Sequence, residues 1–208
     1  MDLFRKFGFT SKKDERSRSM YDTRPKSLPM KKKGGLKVEG DASCPQQLVW
    51  AARNGEGAMV RTLMKHGACV EEVDGEGNTA LMEAAASGHT NIVAMLAKAG
   101  ASVSATNLAG ETAMHHAALM GRTKVVALLV SLGGEVGAAT TRGTTPIHNA
   151  ANKGHEKTFR ALVTAGADIN CQTIEGLTPL HRASAANRIP IVIALIQLGA
   201  YNCLVRCF

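Results

Sequence analysis

The chain has 208 residues, of which 45% are hydrophobic but only 4% are aromatic, and its formal net charge is +8. Few aromatic side chains argue against one large globular core and favour many small helices that stack closely and bury a continuous strip. No run approaches the roughly 18 apolar residues that a membrane helix needs. The five cysteines are scattered, which is typical of reduced thiols. We therefore expect a soluble protein of the cytoplasm, or alternatively of the nucleus.

The positive charge is concentrated at the N-terminus. Residues 1–40 hold 12 Lys and Arg against 5 Asp and Glu, a net +7, whereas residues 41–208 hold 13 against 12, a net +1. The body of the chain therefore gives no electrostatic support for a nucleic-acid-binding face. Residues 1–40 mix basic residues with Ser, Pro and Gly and show almost no apolar periodicity, which predicts a disordered tail.

Two features of this tail suggest localisation or regulation. Three phenylalanines lie within the first nine residues beside basic side chains, which suits docking on a partner or on an anionic membrane surface, or else a frayed terminus. Ser19 and Ser27 lie in basic strings that resemble sites for basic-directed serine kinases. A phosphate on Ser27 would also resemble the ligands of phosphoserine-reading adaptor proteins, because it adds charge and strong acceptors beside an arginine.

The rest of the chain repeats with a period of 33 residues. One set of glycines at this spacing is followed each time, two residues later, by a threonine. The glycines are Gly77, Gly110, Gly143 and Gly176, and the threonines are Thr79, Thr112, Thr145 and Thr178. A second set with the same spacing consists of Gly67, Gly100, Gly133, Gly166 and Gly199. Glycines and threonines that recur in register at one spacing indicate a solenoid of repeats.

The period divides residues 41–205 into five repeats and leaves 206–208 as the start of a sixth. The repeats are 41–73, 74–106, 107–139, 140–172 and 173–205. Each has a glycine turn, a threonine, a short apolar helix with two small residues, a second turn, a longer apolar helix and a glycine. Thr145 is expected to cap its helix, and Pro146 to occupy the first helical position. Repeat five has no polar capping repeat after it, so we expect a truncated array or an end covered by a partner.

The motifs Thr178-Pro179-Leu180-His181 and Gly166-Ala167-Asp168-Ile169-Asn170 resemble the ankyrin repeat. The resemblance covers residues 41–205 and implies an all-α repeat solenoid, in which stacked helix-turn-helix repeats are joined by β-hairpin-like loops. It also implies a module that binds other proteins, whereas periodicity on its own predicts only a helical repeat array. The histidine of the T-P-L-H motif is a structural hydrogen-bonding residue in this family. That position is occupied by His115, His148 and His181.

No motif in the sequence indicates catalysis, a cofactor or a bound metal. Six of the seven histidines recur at frame positions of the repeat, and only His116 lies off the pattern, without a partner for metal or base chemistry. Cys203 and Cys207 have no nearby histidine or second cysteine pair, so a zinc site is not expected. We therefore expect a non-enzymatic protein with no cofactor and no small-molecule substrate.

Partner-binding residues are expected where the repeats differ, because the repeated positions are used for packing. In the ankyrin family these variable positions lie at the hairpin tips and at the end of the first helix, on the concave side. The candidates carried over by frame are Arg53, Asn54, Glu76, Asn78, Leu108, Glu111, Leu119, Met120, Arg142, Thr144, Asn152, Lys153, Ile174 and Leu177. We expect Leu108, Leu119 and Met120 to form an apolar centre with a charged rim, as protein interfaces do, although a slack array would also tolerate them as surface residues.

These features predict a protein-binding adaptor built on a repeat array, with a basic tail that localises or regulates it. The alternative is a peripheral membrane- or nucleic-acid-associated factor in which residues 1–40 supply the affinity. A non-catalytic subunit of an enzyme assembly fits the same features and differs only in its partner.

Overall fold

The computed structural model describes residues 45–200. The basic tail with Ser19 and Ser27, and the start of a sixth repeat at 206–208, lie outside the described residues, and the expectations for them stay predictions. Within 45–200 the chain forms ten α-helices and a single isolated antiparallel bridge, between Val73 and Thr79. No helix in this range is long and apolar enough to cross a membrane.

The ten helices form five pairs. The first helices of the pairs are α1 Pro45–Asn54, α3 Ala80–Ser87, α5 Ala113–Leu119, α7 Pro146–Lys153 and α9 Pro179–Ala185. The second helices are α2 Gly57–Lys65, α4 Thr90–Lys98, α6 Thr123–Ser131, α8 Glu156–Thr164 and α10 Ile189–Gln197. Each helix packs on its equivalent in the next pair, so the first helices form one layer and the second helices another. The predicted all-α repeat solenoid is therefore confirmed.

The core is a strip that runs along the whole array. Small side chains such as Ala84, Ala117 and Ala150 are fully buried in the layer of first helices, which lets these helices pack closely. Larger side chains such as Leu129 and Phe159 are fully buried under the second helices. One hydrophobic cluster connects all five pairs, so each repeat is stabilised by its neighbours rather than by a core of its own.

A threonine and a histidine begin the first helices of repeats three to five. In repeat three the Thr112 N–H donates to His115 Nδ1 at 3.1 Å, so this nitrogen is an acceptor and the ring proton lies on Nε2. The His115 Nε2–H then donates to the Thr144 carbonyl of the next repeat at 3.0 Å. His148 makes the equivalent bonds with Thr145 N–H at 3.2 Å and with the carbonyl of Leu177 at 3.0 Å. The predicted structural role of both histidines is confirmed.

A second column of side chains connects each repeat to the one before it. The residue that follows the glycine between the two helices, or follows Asn187 in repeat five, extends back to a carbonyl at the C-terminal end of the preceding first helix. The pairs are His89 with Arg53 (3.2 Å), Arg122 with Ala86 (2.9 Å), His155 with Leu119 (3.0 Å) and Arg188 with Asn152 (3.1 Å). The repeat frame placed the two histidines in this column, but the equivalent role of the two arginines was not predicted.

Backbone hydrogen bonds link neighbouring hairpin loops. The N–H of Thr141 donates to the carbonyl of Ala109 at 3.1 Å, and the N–H of Ile174 donates to the carbonyl of Arg142 at 3.1 Å. Gly110 allows this approach, since it has a φ of +76° and a Cβ added to it would lie 2.9 Å from the Thr141 nitrogen. The hairpin tips are therefore fixed relative to one another by main-chain contacts.

The close approach at Gly110 can be separated from its backbone conformation by comparison with Gly133. Gly133 also has a positive φ, +81°, but a Cβ there would meet no atom within 4 Å. Alanine at either position carries the penalty of a left-handed backbone, roughly 1–2 kcal/mol. We expect Gly110→Ala to lower the free energy of unfolding, measured by urea denaturation, further than Gly133→Ala does, because the next hairpin must move. Equal losses of unfolding free energy in the two variants would show that the close approach of the next hairpin adds nothing to the cost of the backbone conformation.

The histidine bridges predict how stability depends on pH. Burial lowers the pKa of the His115 and His148 side chains below the ordinary value of 6.5. Below pH 6.5 the unfolded chain binds protons that the folded rings do not, so the free energy of unfolding is largest above this pH and falls as the pH drops. We expect the Tm, measured by circular dichroism, to decrease as the pH is lowered from about 7.5 to about 5.5.

The control for this prediction is the double variant His115→Gln with His148→Gln. Glutamine keeps a hydrogen-bonding amide but cannot be charged, so the variant should be less stable at neutral pH and lose part of the decrease in Tm at low pH. A variant that retains the full wild-type decrease would assign the pH dependence to other groups.

Candidate partner-binding surface

A polar cleft of about 230 Å³ lies between the hairpin loops and the first helices of repeats three to five. The hairpin side includes Glu111, Arg142 and Thr144, and the helix side includes Asn149, Asn152 and Arg182. Four of these six, Glu111, Arg142, Thr144 and Asn152, were predicted as partner-binding residues from their frame positions. The structure therefore brings together candidates from repeats three and four.

Both charged side chains on the hairpin side of the cleft have partners within the array. A Glu111 carboxylate oxygen accepts from Asn107 Nδ2 at 3.2 Å and lies 3.5 Å from Nε2 of the buried His116. Arg142 Nη2 lies 2.7 Å from a carboxylate oxygen of Glu175, and this pair is exposed to solvent. These contacts orient the two side chains and leave neither of them as an isolated charge.

Arg182, on the helix side of the cleft, is in a different situation. Its Nε atom is buried and has no hydrogen-bond partner among residues 45–200. Its guanidinium also forms none of the ion pairs found in that range. Asn149 occupies the equivalent position one repeat earlier. Its Nδ2 atom lies 3.5 Å from the carbonyl of His115, at the limit of a hydrogen bond. The helix side thus contains donors whose hydrogen-bonding capacity is not used.

The first two repeats carry charges that compensate each other. Arg53 Nε donates to Glu83 at 2.6 Å, and Arg53 Nη2 lies 3.9 Å from Asp74. The hydrogen bond with Glu83 raises the pKa of Arg53. Glu83 is only 5% exposed, so this pair holds α1 and α3 together. Arg53, predicted to bind a partner, is therefore already engaged inside the array.

Two large apolar side chains stand out at the hairpin tips. Leu108 is 80% exposed and Ile174 is 75% exposed. Met120 is 37% exposed and lies just after the C-terminal end of α5. Leu119 is half-buried beside Met120. The apolar centre of Leu108, Leu119 and Met120 stays a prediction.

Asn78 is the one predicted contact residue that is fully inside the fold. It is 2% exposed, and its side chain lies within hydrogen-bonding distance of Asp74, Glu76 and Asn107. It therefore holds two hairpins together, and direct contact of its side chain with a partner is not supported. Among the other candidates, Asn54, Glu76 and Lys153 are exposed, and Thr144, Asn152 and Leu177 are half-buried.

Trp50, Asn149 and Arg182, which share one position of the first helix, were not among the predicted contact residues. That position, here called the variable column, holds Trp50, Glu83, His116, Asn149 and Arg182 in the five repeats. Glu83 and His116 are buried in it, whereas Trp50 is exposed. A different residue type in every repeat, next to positions that barely change, was a usable signal that packing does not fix this position.

The described residues contain no group of three or more His, Cys, Asp and Glu side chains that could hold a metal ion. Cys171 lies 3.3 Å from Thr145 Oγ1, and burial raises the pKa of its thiol, which disfavours the reactive thiolate. His148 lines the cleft, but Thr145 and Leu177 occupy both of its ring nitrogens. The arrangement in this part of the chain suits binding better than acid–base chemistry.

Comparison with known families agrees with this geometry. A family model described as ankyrin repeats (3 copies) matches residues 48–140 and 129–205, which together make up most of the chain. A comparison with curated proteins finds no match. Ankyrin repeats are generally non-enzymatic modules that bind other proteins. With paired helices at the matched period and T-P-L-H histidines at the start of the first helices, the chain belongs to the ankyrin-repeat family.

Proposed function

We propose that the chain is a non-enzymatic adaptor whose protein partner lies across the hairpin tips and the cleft of repeats three to five. The observation that carries the proposal is the exposure of Leu108 and Ile174, 80% and 75%, on hairpins fixed by main-chain bonds. A large apolar side chain on a rigid loop gains free energy on burial without much ordering cost. Such residues are suited to anchor a partner.

The surroundings of these two tips support the same proposal. Leu108 belongs to repeat three and Ile174 to repeat five, and the cleft lies in the repeats that they bracket. The exposed pair of Arg142 and Glu175 lies beside Ile174. Apolar anchors next to polar and charged groups are the usual composition of a protein interface. The polar cleft then supplies orientation and specificity.

The anchors can be tested with the double variant Leu108→Ser and Ile174→Ser. We expect capture of partners by the full chain from cell extract, quantified by mass spectrometry, to fall at least about tenfold, since each anchor contributes more than about 1 kcal/mol. Tm should remain that of the wild type, because both side chains are in solvent. The matched control is Leu132→Ser with Ile193→Ser, which removes two exposed apolar side chains from the second-helix layer. Equal losses in both double variants would contradict a site at the tips.

The charge asymmetry supports a second candidate, in which residues 1–40, with a net +7, bind anionic membranes or nucleic acid. Under this alternative the full chain sediments with phosphatidylserine vesicles or binds DNA, and binding decreases steeply with salt. Deleting residues 1–40 should then abolish it. Under the preferred proposal the deletion leaves capture of protein partners unchanged, so the two candidates predict opposite results for the shortened chain.

A further inference from the structure

We propose that Arg182 is the receptor for one carboxylate of the partner, supplied by an Asp or Glu side chain that enters the cleft of repeats three to five. The inference rests on the proposed function and deepens it, because it specifies the chemistry that the partner must present. The partner segment is an acidic residue flanked by apolar residues that contact Leu108 and Ile174.

Arg182 differs from the other arginines of the described chain. Each of the six other arginines in residues 45–200 has a hydrogen-bond acceptor for its guanidinium, whereas the buried Nε of Arg182 has none. The six are Arg53, Arg61, Arg122, Arg142, Arg160 and Arg188. A buried donor without an acceptor destabilises the fold, and such groups require an explanation. An acceptor that arrives with the partner provides one.

The charge balance of the cleft also distinguishes Arg182. Arg142 is paired with Glu175, and Glu111 is held by Asn107 and lies 3.5 Å from His116. Arg182 is thus the positive charge in the cleft that has no counter-charge within the described chain. A guanidinium matches the two oxygens of a carboxylate, and a charged acceptor strengthens both bonds.

The neighbours of Arg182 favour a singly charged ligand group. The amide side chains of Asn149 and Asn152 line the same cleft and supply neutral donors. The Glu111 carboxylate also lines it and repels added negative charge. One carboxylate therefore suits the cleft better than a phosphate, which carries close to two charges. The exposed tips at Leu108 and Ile174 give a peptide, unlike a free acid, additional contacts.

The inference is tested by selecting random linear peptides on phage with the full-length chain. The displayed peptides are fused at their C-terminus, so only side-chain carboxylates are available. We expect selected peptides to share an Asp or Glu with apolar neighbours. Replacing that acidic residue by its amide should weaken binding to the wild type about tenfold or more, the value of a charged hydrogen bond. The same peptide change should have little effect on binding to the Arg182→Gln variant. A double-mutant cycle requires this result if the two groups are in direct contact.

Arg61→Gln is the control for the charge change, because it removes one positive charge from the second-helix layer, outside the cleft. It should bind the selected peptide like the wild type. The Tm of Arg182→Gln should equal or exceed that of the wild type, since Arg182 Nε has no partner to lose. The amide replacement in the peptide needs no protein variant, so the test holds even if Arg182→Gln folds poorly.

Three results overturn the inference. Peptides selected without an acidic preference, or an amide penalty that persists in Arg182→Gln, would remove the carboxylate site but leave the proposed adaptor function standing. A chain that selects no peptide at all, and captures no partner through Leu108 and Ile174, would contradict the proposed function as well.

Discussion

The arrangement of the array depends on one interaction, the histidine that joins a helix start to the next hairpin. Every helix begins with backbone N–H groups that have no partner inside the helix. In this chain the Nδ1 atoms of His115 and His148 accept from such groups, and their Nε2 atoms donate to a carbonyl of the following repeat. One neutral ring thus accepts a hydrogen bond from a backbone N–H at the start of its helix and fixes the distance to the next repeat. The positions of the hairpin tips, and of the cleft below them, follow from this geometry.

The second column of contacts acts in the opposite direction along the chain. His155 and Arg188 extend back to carbonyls at the end of the preceding first helix, while the T-P-L-H histidines extend forward to the next hairpin. The first helices of repeats three and four are therefore each held at both ends by the same neighbour, the following repeat. Since these bonds use backbone groups and repeated positions, the side chains at the hairpin tips and in the variable column take no part in them. The bonds that join the repeats and the proposed contact residues therefore use different positions of each repeat.

The sequence predicted the features that depend on residues nearby in the chain. It did not predict the features that depend on contacts between residues distant in the chain. Thr145 and Pro146 were identified as a helix start because capping is local. Burial of Asn78 and the engagement of Arg53 could not be derived in the same way. Their partners Asn107 and Glu83 lie about one repeat further on and contact them only after stacking. Arg182 was missed for a related reason, since an uncompensated charge is recognised only when every surrounding carboxylate has been placed.

The two halves of the variable column differ in how their charges are compensated. In repeats one and two the buried Glu83 carboxylate is neutralised by Arg53, so that end of the column contributes to stability. In repeats three to five the charges on the hairpins are paired, whereas Arg182 is left with a buried and unsatisfied donor. A fold selected only for stability would replace such an arginine with an apolar residue of similar size. The proposed partner supplies the acceptor that Arg182 lacks within the described chain.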